Sequence, residues 1–280
     1  MKIITPLLVL FFISNSFALE IQPEVEKEYL AQGGSPLALA HVKCFLQNYS
    51  QTDFNLRSAN LSERCNGMSD ESRTIQMNSF DYVTIIDYTM PSSQRRLFIV
   101  DLENPQPPYV EAFYVSHGRY KNTPRTNTVP GVGKNTIEWL TYYSNVKRSN
   151  ATSSGFYITG HQYKGKWSGP NKDKFSLIVH GINKDENDNA CDRAVVLHGN
   201  GHIQESGAKE GVGLMSSGCF MVDLAYVNAV IDKIRGGGGN YHKNEDRLGG
   251  TLFFAYGTNQ AAQDSSYYCS SVSEDSLRIN

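Results

Sequence analysis

The sequence predicts a mainly β fold with a few short helices and a small helical lead-in at the N-terminal end, and three observations carry that expectation. The 280 residues include 16 Tyr and 24 Gly, a composition that favours strands and loops over long helices. Short apolar runs rich in β-branched and aromatic residues recur from Tyr82 onward, each closed by Pro, Ser or Gly. Helical spacing is confined to Glu24 to Asn48 and to a segment after Cys219.

Taken in order, Met1 to Ala18 has the parts of a secretory signal: Lys2 at the start, an apolar run from Ile3 to Ile13 broken only by Thr5 and Pro6, and small residues at Ser16 and Ala18. Cleavage is expected after Ala18. The junction has no Cys to take a lipid, and no later stretch reaches the roughly 18 apolar residues a membrane span needs. The mature chain is therefore expected to be exported, to the periplasm or beyond, without a membrane anchor.

Residues 19–80 form the helical and linker region. Gly33-Gly34-Ser35-Pro36 splits it into two helical pieces, and Leu39, Val42 and Leu46 share one face of the second. Residues 81–257 are expected to form the main, strand-rich domain. Its first strands are Tyr82 to Asp87, Arg96 to Asp101 and Val110 to Ser116. Arg119 to Thr152 reads as a long functional loop with a short helix at Ile137 to Tyr143. Strands follow at Gly155 to Thr159, Phe175 to Val179 and Ala194 to Leu197, the last delivering His198 to a strand end. Val222 to Ile234 is spaced as a helix that stops at the glycines 236–239, Thr251 to Tyr256 is a final strand, and 258–280 is a polar tail.

A formal charge of −2 gives no clustered cation surface to replace condensed counterions, so nucleic acid is set aside as a partner. Five cysteines, at 44, 65, 191, 219 and 269, leave at least one thiol outside any intrachain pair. Cys44 and Cys65 bracket a short polar stretch and are the expected disulfide, with Cys191 and Cys269 as a second pair. Cys219 is then the free thiol.

That thiol has a partner in the sequence. Arg193-Ala194-Val195-Val196-Leu197-His198-Gly199 is followed, after a Gly-rich stretch, by Ser216-Ser217-Gly218-Cys219. An ordinary thiol, with a pKa of about 8.5, is mostly protonated at neutral pH, so a nucleophilic Cys needs an imidazole to accept its proton. His198 is the candidate base, with His202 a local rival. Gly218 allows a sharp turn that directs the N–H groups of Gly218 and Cys219 towards a developing oxyanion. Ser216 and Ser217 are candidate pocket residues. His198, His202 and Cys219 also invite a zinc reading. That reading needs a helical His-x-x-x-His, against which Gly199 and Gly201 argue, so no metal or other cofactor is expected.

These residues resemble the L,D-transpeptidase (YkuD-like) catalytic domain, and within it the murein L,D-transpeptidase branch. The matching pieces are Val195 to Gly199, Ser216 to Cys219, Ile85 to Tyr88 with Pro91 to Ser93, Leu97 to Leu102, His117-Gly118, Ser153 to Tyr157, and Asn187 to Ala190 before Arg193. The resemblance implies a β-sandwich catalytic domain and a ping-pong acyl transfer on tetrapeptide stems of peptidoglycan. Cys219 attacks the diaminopimelate carbonyl, D-Ala leaves, and an amine of a second stem, a protein lysine or a D-amino acid resolves the thioester. With water as the acceptor the same site is an L,D-carboxypeptidase or endopeptidase, and without a working nucleophile it is a cell-wall-binding module. Gly199 joins the pocket on this resemblance, and Arg193, His180, Tyr157 and His202 are possible lining residues. Met215 and Phe220 depart from the Arg and Pro that usually flank the nucleophile motif in this branch.

Overall fold

The computed structural model describes residues 19–56, 74–120, 134–164, 174–203, 206, 215–236, 249–257 and 268–272. The expected signal segment and Cys65 lie outside them, as do most of the expected polar tail and of the glycine run.

Two helices come first. α1 (Pro23–Ala31) and α2 (Pro36–Tyr49) each begin at a proline, whose missing N–H costs nothing at the first helical position. Ser35 caps α2 by accepting the Ala38 N–H at 3.2 Å. The turn between the helices needs glycine: a Cβ on Gly34 would lie 2.2 Å from the Tyr29 ring.

Twelve strands follow among the described residues, with helix α3 before the last of them. β1 (Phe54–Asn55) and β2 (Thr74–Ile75) pair with each other. β3 (Tyr82–Asp87), β4 (Leu97–Asp101) and β5 (Val110–Phe113) form an antiparallel meander. Then come β6 (His117–Gly118), β7 (Gly155–Lys164), β8 (Phe175–Gly181), β9 (Val196–Asn200), β10 (Met215–Ser216), β11 (Phe220–Asp223), α3 (Val227–Ile234) and β12 (Leu252–Tyr256). Eight of these strands make one mixed sheet in the order β11-β9-β8-β7-β12-β3-β4-β5. Its two ends approach each other: the Ser116 N–H donates to the Met221 carbonyl at 2.9 Å, and β6 pairs in parallel with β10.

The period-two alternation of the strands explains why both faces are apolar. Val83 and Ile85 of β3, Phe98 and Val100 of β4, and Leu252 and Phe254 of β12 point to one core, where Tyr29, Leu39, Val42, Phe45 and Leu46 of the helices cover them. Ile86, Leu97, Ile99, Phe253 and Ala255 point to a second core inside the folded sheet, closed by Val227, Val230, Ile231 and Ile234 of α3. Each such side chain contributes about 1.5–3 kcal/mol relative to leaving it in water. The mainly β, sandwich-like class expected from the sequence holds, and α1 and α2 share a core with the sheet.

Several local expectations are corrected. Ile137 to Tyr143 is not a helix, because the Asn135 side chain takes over its backbone groups: Oδ1 accepts the Thr141 and Tyr142 N–H groups at 2.9 and 2.7 Å, and Nδ2 donates to the Gly118 and Tyr142 carbonyls at 2.7 and 2.9 Å. The segment after Cys219 starts as strand β11 and becomes helical only at Val227. β9 starts two residues later than expected, since Ala194 has a left-handed φ of 56°, and His198 is the third of its five residues rather than the residue after its end.

The disulfide pairing is also different. Cys44 is bonded to Cys269, not to Cys65, across a sequence separation of 225. The Tyr268 ring packs against Phe45, Tyr49 and Phe54, which brings Cys269 over α2. Cys191, whose expected partner is thereby taken, is itself disulfide-bonded, and Cys219 is the free cysteine among the described residues. None of the described helices is long and apolar enough to cross a membrane.

Candidate active site

The nucleophile turn is built by Gly218 and two serines. Gly218 has φ +116°, and a Cβ there would lie 2.7 Å from the Ala151 carbonyl oxygen. The Ser216 hydroxyl donates to the Cys219 carbonyl at 2.7 Å and accepts the Gly218 N–H at 3.0 Å, clamping the turn from within. Ser116, which sequence reasoning missed, clamps it from the neighbouring strand: its Oγ donates to the Cys219 carbonyl at 3.2 Å and accepts the Met221 N–H at 3.0 Å. Two expectations change as a result. Ser216 is buried in the turn instead of lining a pocket, and the Gly218 N–H is already used by the Ser216 hydroxyl. Ser217 is exposed.

Strand register brings Cys219 and His198 to one face. β11 and β9 are parallel neighbours with Phe220 opposite Leu197 and Met221 opposite His198. Phe220 and Leu197 enter the inner core, so Cys219, Met221, Val196 and His198 take the other face. Cys219 is level with Val196, two residues out of step with His198. Strand spacing and rise set their Cα atoms about 8 Å apart. Cys219 also packs with Met221, Ile203 and Tyr114.

The His198 imidazole is held by the backbone of its own neighbour. His198 Nδ1 lies 3.0 Å from the Gly199 carbonyl oxygen, which accepts hydrogen bonds only, so Nδ1 carries the proton and Nε2 keeps its lone pair. Burial lowers the His198 pKa, against the hydrogen bond to Gly199, and keeps the ring neutral. Gly199 thus contributes its carbonyl, and it needs its lack of a side chain because a Cβ would lie 2.7 Å from Leu224.

The sulfur is held as a thiol. Burial pushes its pKa up, opposed by a hydrogen bond to the Val196 backbone and by the charge of Arg193. The S–H points to the Ala194 carbonyl at 3.6 Å, and the left-handed turn at Ala194 presents that oxygen. Arg193 is tied to the loop beneath: Nη1 donates to the Ser144 carbonyl at 2.7 Å and to Ser153, and Nη2 to the Ala151 carbonyl at 2.5 Å. It fixes the loop against which Gly218 turns and lends positive charge to a forming thiolate.

The remaining expected lining residues lie elsewhere. Tyr157 is fully buried in the inner core, its hydroxyl donating to the Ser153 carbonyl at 2.8 Å. His180 is buried in β8 over Gly160, and burial first, then His161, lowers its pKa to about 4. His202 is exposed on the turn after β9. His117 is structural: its Nδ1 faces buried Arg96 at 2.7 Å and its Nε2 donates to the Thr136 carbonyl at 2.8 Å. Arg96 also donates to the Val115 and Met90 carbonyls and so anchors the β6 edge on which β10 depends.

Fold and site together define a class: a mixed β sandwich with a thiol on a glycine turn and a neutral imidazole on the neighbouring strand. The L,D-transpeptidase catalytic domain family matches residues 53–242, and the chain belongs to that family. No curated protein matches it. Among solved structures, it is similar to an L,D-transpeptidase from Xylanimonas cellulosilytica, with 15% identity, coverage of 66% of this chain and 65% of that one, and a TM-score of 0.30. It is also similar to a point mutant of the helical cell shape determining protein Pgp2 from Campylobacter jejuni, with 10% identity, coverage of 84% and 61%, and a TM-score of 0.33. A third is Bd1075 from Bdellovibrio bacteriovorus, with 12% identity, coverage of 68% and 56%, and a TM-score of 0.30. The chain spans less than two thirds of the length of each of these structures.

Proposed function

We infer that the protein is a cysteine L,D-transpeptidase acting on tetrapeptide stems of peptidoglycan in an exported compartment. The observation that carries the reading is the register of β9 and β11, with a base-ready His198 Nε2 on the same face as the free thiol of Cys219. The paired cysteines support export, since disulfides persist in oxidising compartments.

The chemistry starts from a neutral pair. His198 Nε2 takes the thiol proton as Cys219 Sγ attacks the diaminopimelate carbonyl, and the oxyanion forms against the Cys219 N–H. Collapse breaks the amide, the imidazolium returns the proton to the leaving amine, and D-Ala departs, leaving a thioester. An incoming amine then gives up a proton to Nε2 and attacks the thioester, and the thiol is re-formed. Arg193 favours the thiolate-like stage of each half-reaction by its charge.

Purified enzyme incubated with disaccharide tetrapeptides is expected to release D-Ala and give cross-linked or D-amino-acid-exchanged products by mass spectrometry. Cys219→Ala is expected to abolish all of them and His198→Ala nearly all. Intact product formation by Cys219→Ala would overturn the assignment, and product made only with water would identify a carboxypeptidase.

A further inference from the structure

β8 carries a polar side chain that neither the core nor the proposed reaction uses. Leu177 and Val179 enter the inner core, so Ser176, Ile178 and His180 take the face that holds His198 and Cys219. Register sets Ser176 directly opposite His198, as it sets Ile178 opposite Val196. Opposite side chains on antiparallel neighbours have Cβ atoms about 4.5–5.5 Å apart, which makes the Ser176 hydroxyl and the imidazole immediate neighbours. The strand is fixed at its start, where the Phe175 N–H donates to Asn228 Oδ1 of α3 at 3.1 Å. Ser176 is 1% exposed, and its Oγ has no hydrogen-bond partner among the described residues. A buried hydroxyl left unpaired has given up its water for nothing, and Ala would pack the same place better.

The reaction on the neighbouring strand supplies a use for it. His198 becomes an imidazolium when it takes the Cys219 proton, in a place where burial lowers its pKa and the Gly199 bond alone acts against that. A charge that forms away from water needs a dipole beside it. A hydroxyl is a rotor that turns its lone pairs to a charged ring and away from a neutral one. The carboxylate nearest in register, Asp223 at the end of β11, accepts the Ala225 N–H at 2.8 Å instead. Besides Cys219, the titratable or charged groups on the surrounding elements are Lys174 before β8, His180 on β8, His161 and Tyr163 on β7, Arg193 before β9 and His202 after it, and none is a carboxylate.

We propose that Ser176 is a positioning residue for the base, its hydroxyl turning its lone pairs to the His198 imidazolium and steadying the charge that the ring acquires as Cys219 attacks. The proposal rests on the reading of His198 as the base of Cys219. It accounts for a polar side chain at a buried strand position that packing alone would fill with an apolar one.

The test reads the ring as well as the reaction. In the Cys219→Ala chain, NMR titration of the His198 imidazole is compared with and without Ser176→Ala. Loss of the hydroxyl is expected to move that titration to lower pH by about 0.5–1 pH unit. In the active enzyme Ser176→Ala is expected to slow single-turnover release of D-Ala about threefold to tenfold, the range of one hydrogen bond converted to rate, while the acid limb moves down. A merely structural role has the opposite sign, because a loosened strand that admitted water would relieve the burial of His198 and move the limb up. Ser176→Thr, which keeps the hydroxyl, is expected to restore the wild-type limb, and Ser176→Ala to raise the urea midpoint by removing an unpaired buried group. An unmoved or upward His198 titration in Ser176→Ala overturns the proposal while an inactive His198→Ala leaves the base reading standing. Wild-type acylation by His198→Ala rejects the base reading and the proposal with it.

Discussion

Replacing Gly218 by Ala tests whether the turn before the nucleophile sets its reactivity. The added methyl meets the Ala151 carbonyl oxygen at 2.7 Å and Arg193 Nη2 at 3.4 Å, on a backbone whose φ of +116° suits glycine alone. A disallowed φ costs about 1–3 kcal/mol. Relief of the contact requires the Ala151 carbonyl to move, yet Arg193 holds that oxygen at 2.5 Å, a charge-assisted bond worth about 1.5–3 kcal/mol. The loop and the turn resist each other, so a combined destabilisation of about 2–4 kcal/mol is expected. For a domain of this size that lowers Tm by roughly 5–15 °C. Whatever part the fold absorbs is absorbed by shifting Cys219, and a displacement near 1 Å costs about 100-fold in rate. Thermal unfolding followed by circular dichroism gives the first quantity, and single-turnover D-Ala release below the melting temperature gives the second. A Gly218→Ala enzyme with native Tm and native acylation rate would refute the account of the turn.

Other outcomes follow from the same contacts. His198 is kept neutral by burial, so the acid limb of single-turnover acylation is expected below pH 6.5; a limb at or above 6.5 would contradict that. His117 and His180 have folded pKa values of about 3 and about 4, below their unfolded value near 6.5, so their contribution is complete above pH 6.5 and is lost as pH falls. At pH 4.5 each is expected to cost about 2–3 kcal/mol in urea unfolding, offset in part by Asp87, whose buried carboxyl takes up a proton more readily when folded. His180→Leu is expected to remove its share of the acid loss, and an unchanged slope would reject the assignment. Joint replacement of Cys44 and Cys269 by Ser removes a cross-link spanning 225 residues, worth at most about 5 kcal/mol in the chain-entropy view; an unchanged urea midpoint would count against it. Arg96→Met is expected to cost about 3–5 kcal/mol, since it strips donors from the Val115 and Met90 carbonyls and from His117, and an isoenergetic variant would show that the anchor is dispensable.

The parts of the molecule legible in the sequence were those with a local period. Tyr82 to Asp87, Thr251 to Tyr256 and the helical face of Leu39, Val42 and Leu46 show their burial in their spacing. Cys219 was legible as the free thiol because the cysteine count is odd. Side-chain substitutes for backbone pairing were not. Asn135 dissolves a helical pattern at Ile137 to Tyr143 by bonding its N–H groups, and no period announces that. Val222 and Asp223 open the stretch read as helical, yet register with β9 makes them the end of strand β11. Tyr157 reads as a possible lining residue because one neighbour of its strand, β12, lies far away in sequence. Ser116 precedes the His117-Gly118 pair, and that adjacency was the signal available for it. The Cys44–Cys269 bond depends on the Tyr268 ring finding α2, a contact no spacing rule contains.

That bond also sets an order of events. Read from the N-terminal end, Cys65, Cys191 and Cys219 all appear before Cys269, so the free thiol of Cys219 is one of three competing partners for Cys44 in the interval in which the correct one has yet to emerge. Oxidation that simply joined thiols as they arrived would spend the reactive sulfur on a dead-end cross-link. Maturation of this enzyme therefore favours late oxidation or a reshuffling catalyst, and yield on production should follow the supply of such an isomerase more closely than the supply of oxidant.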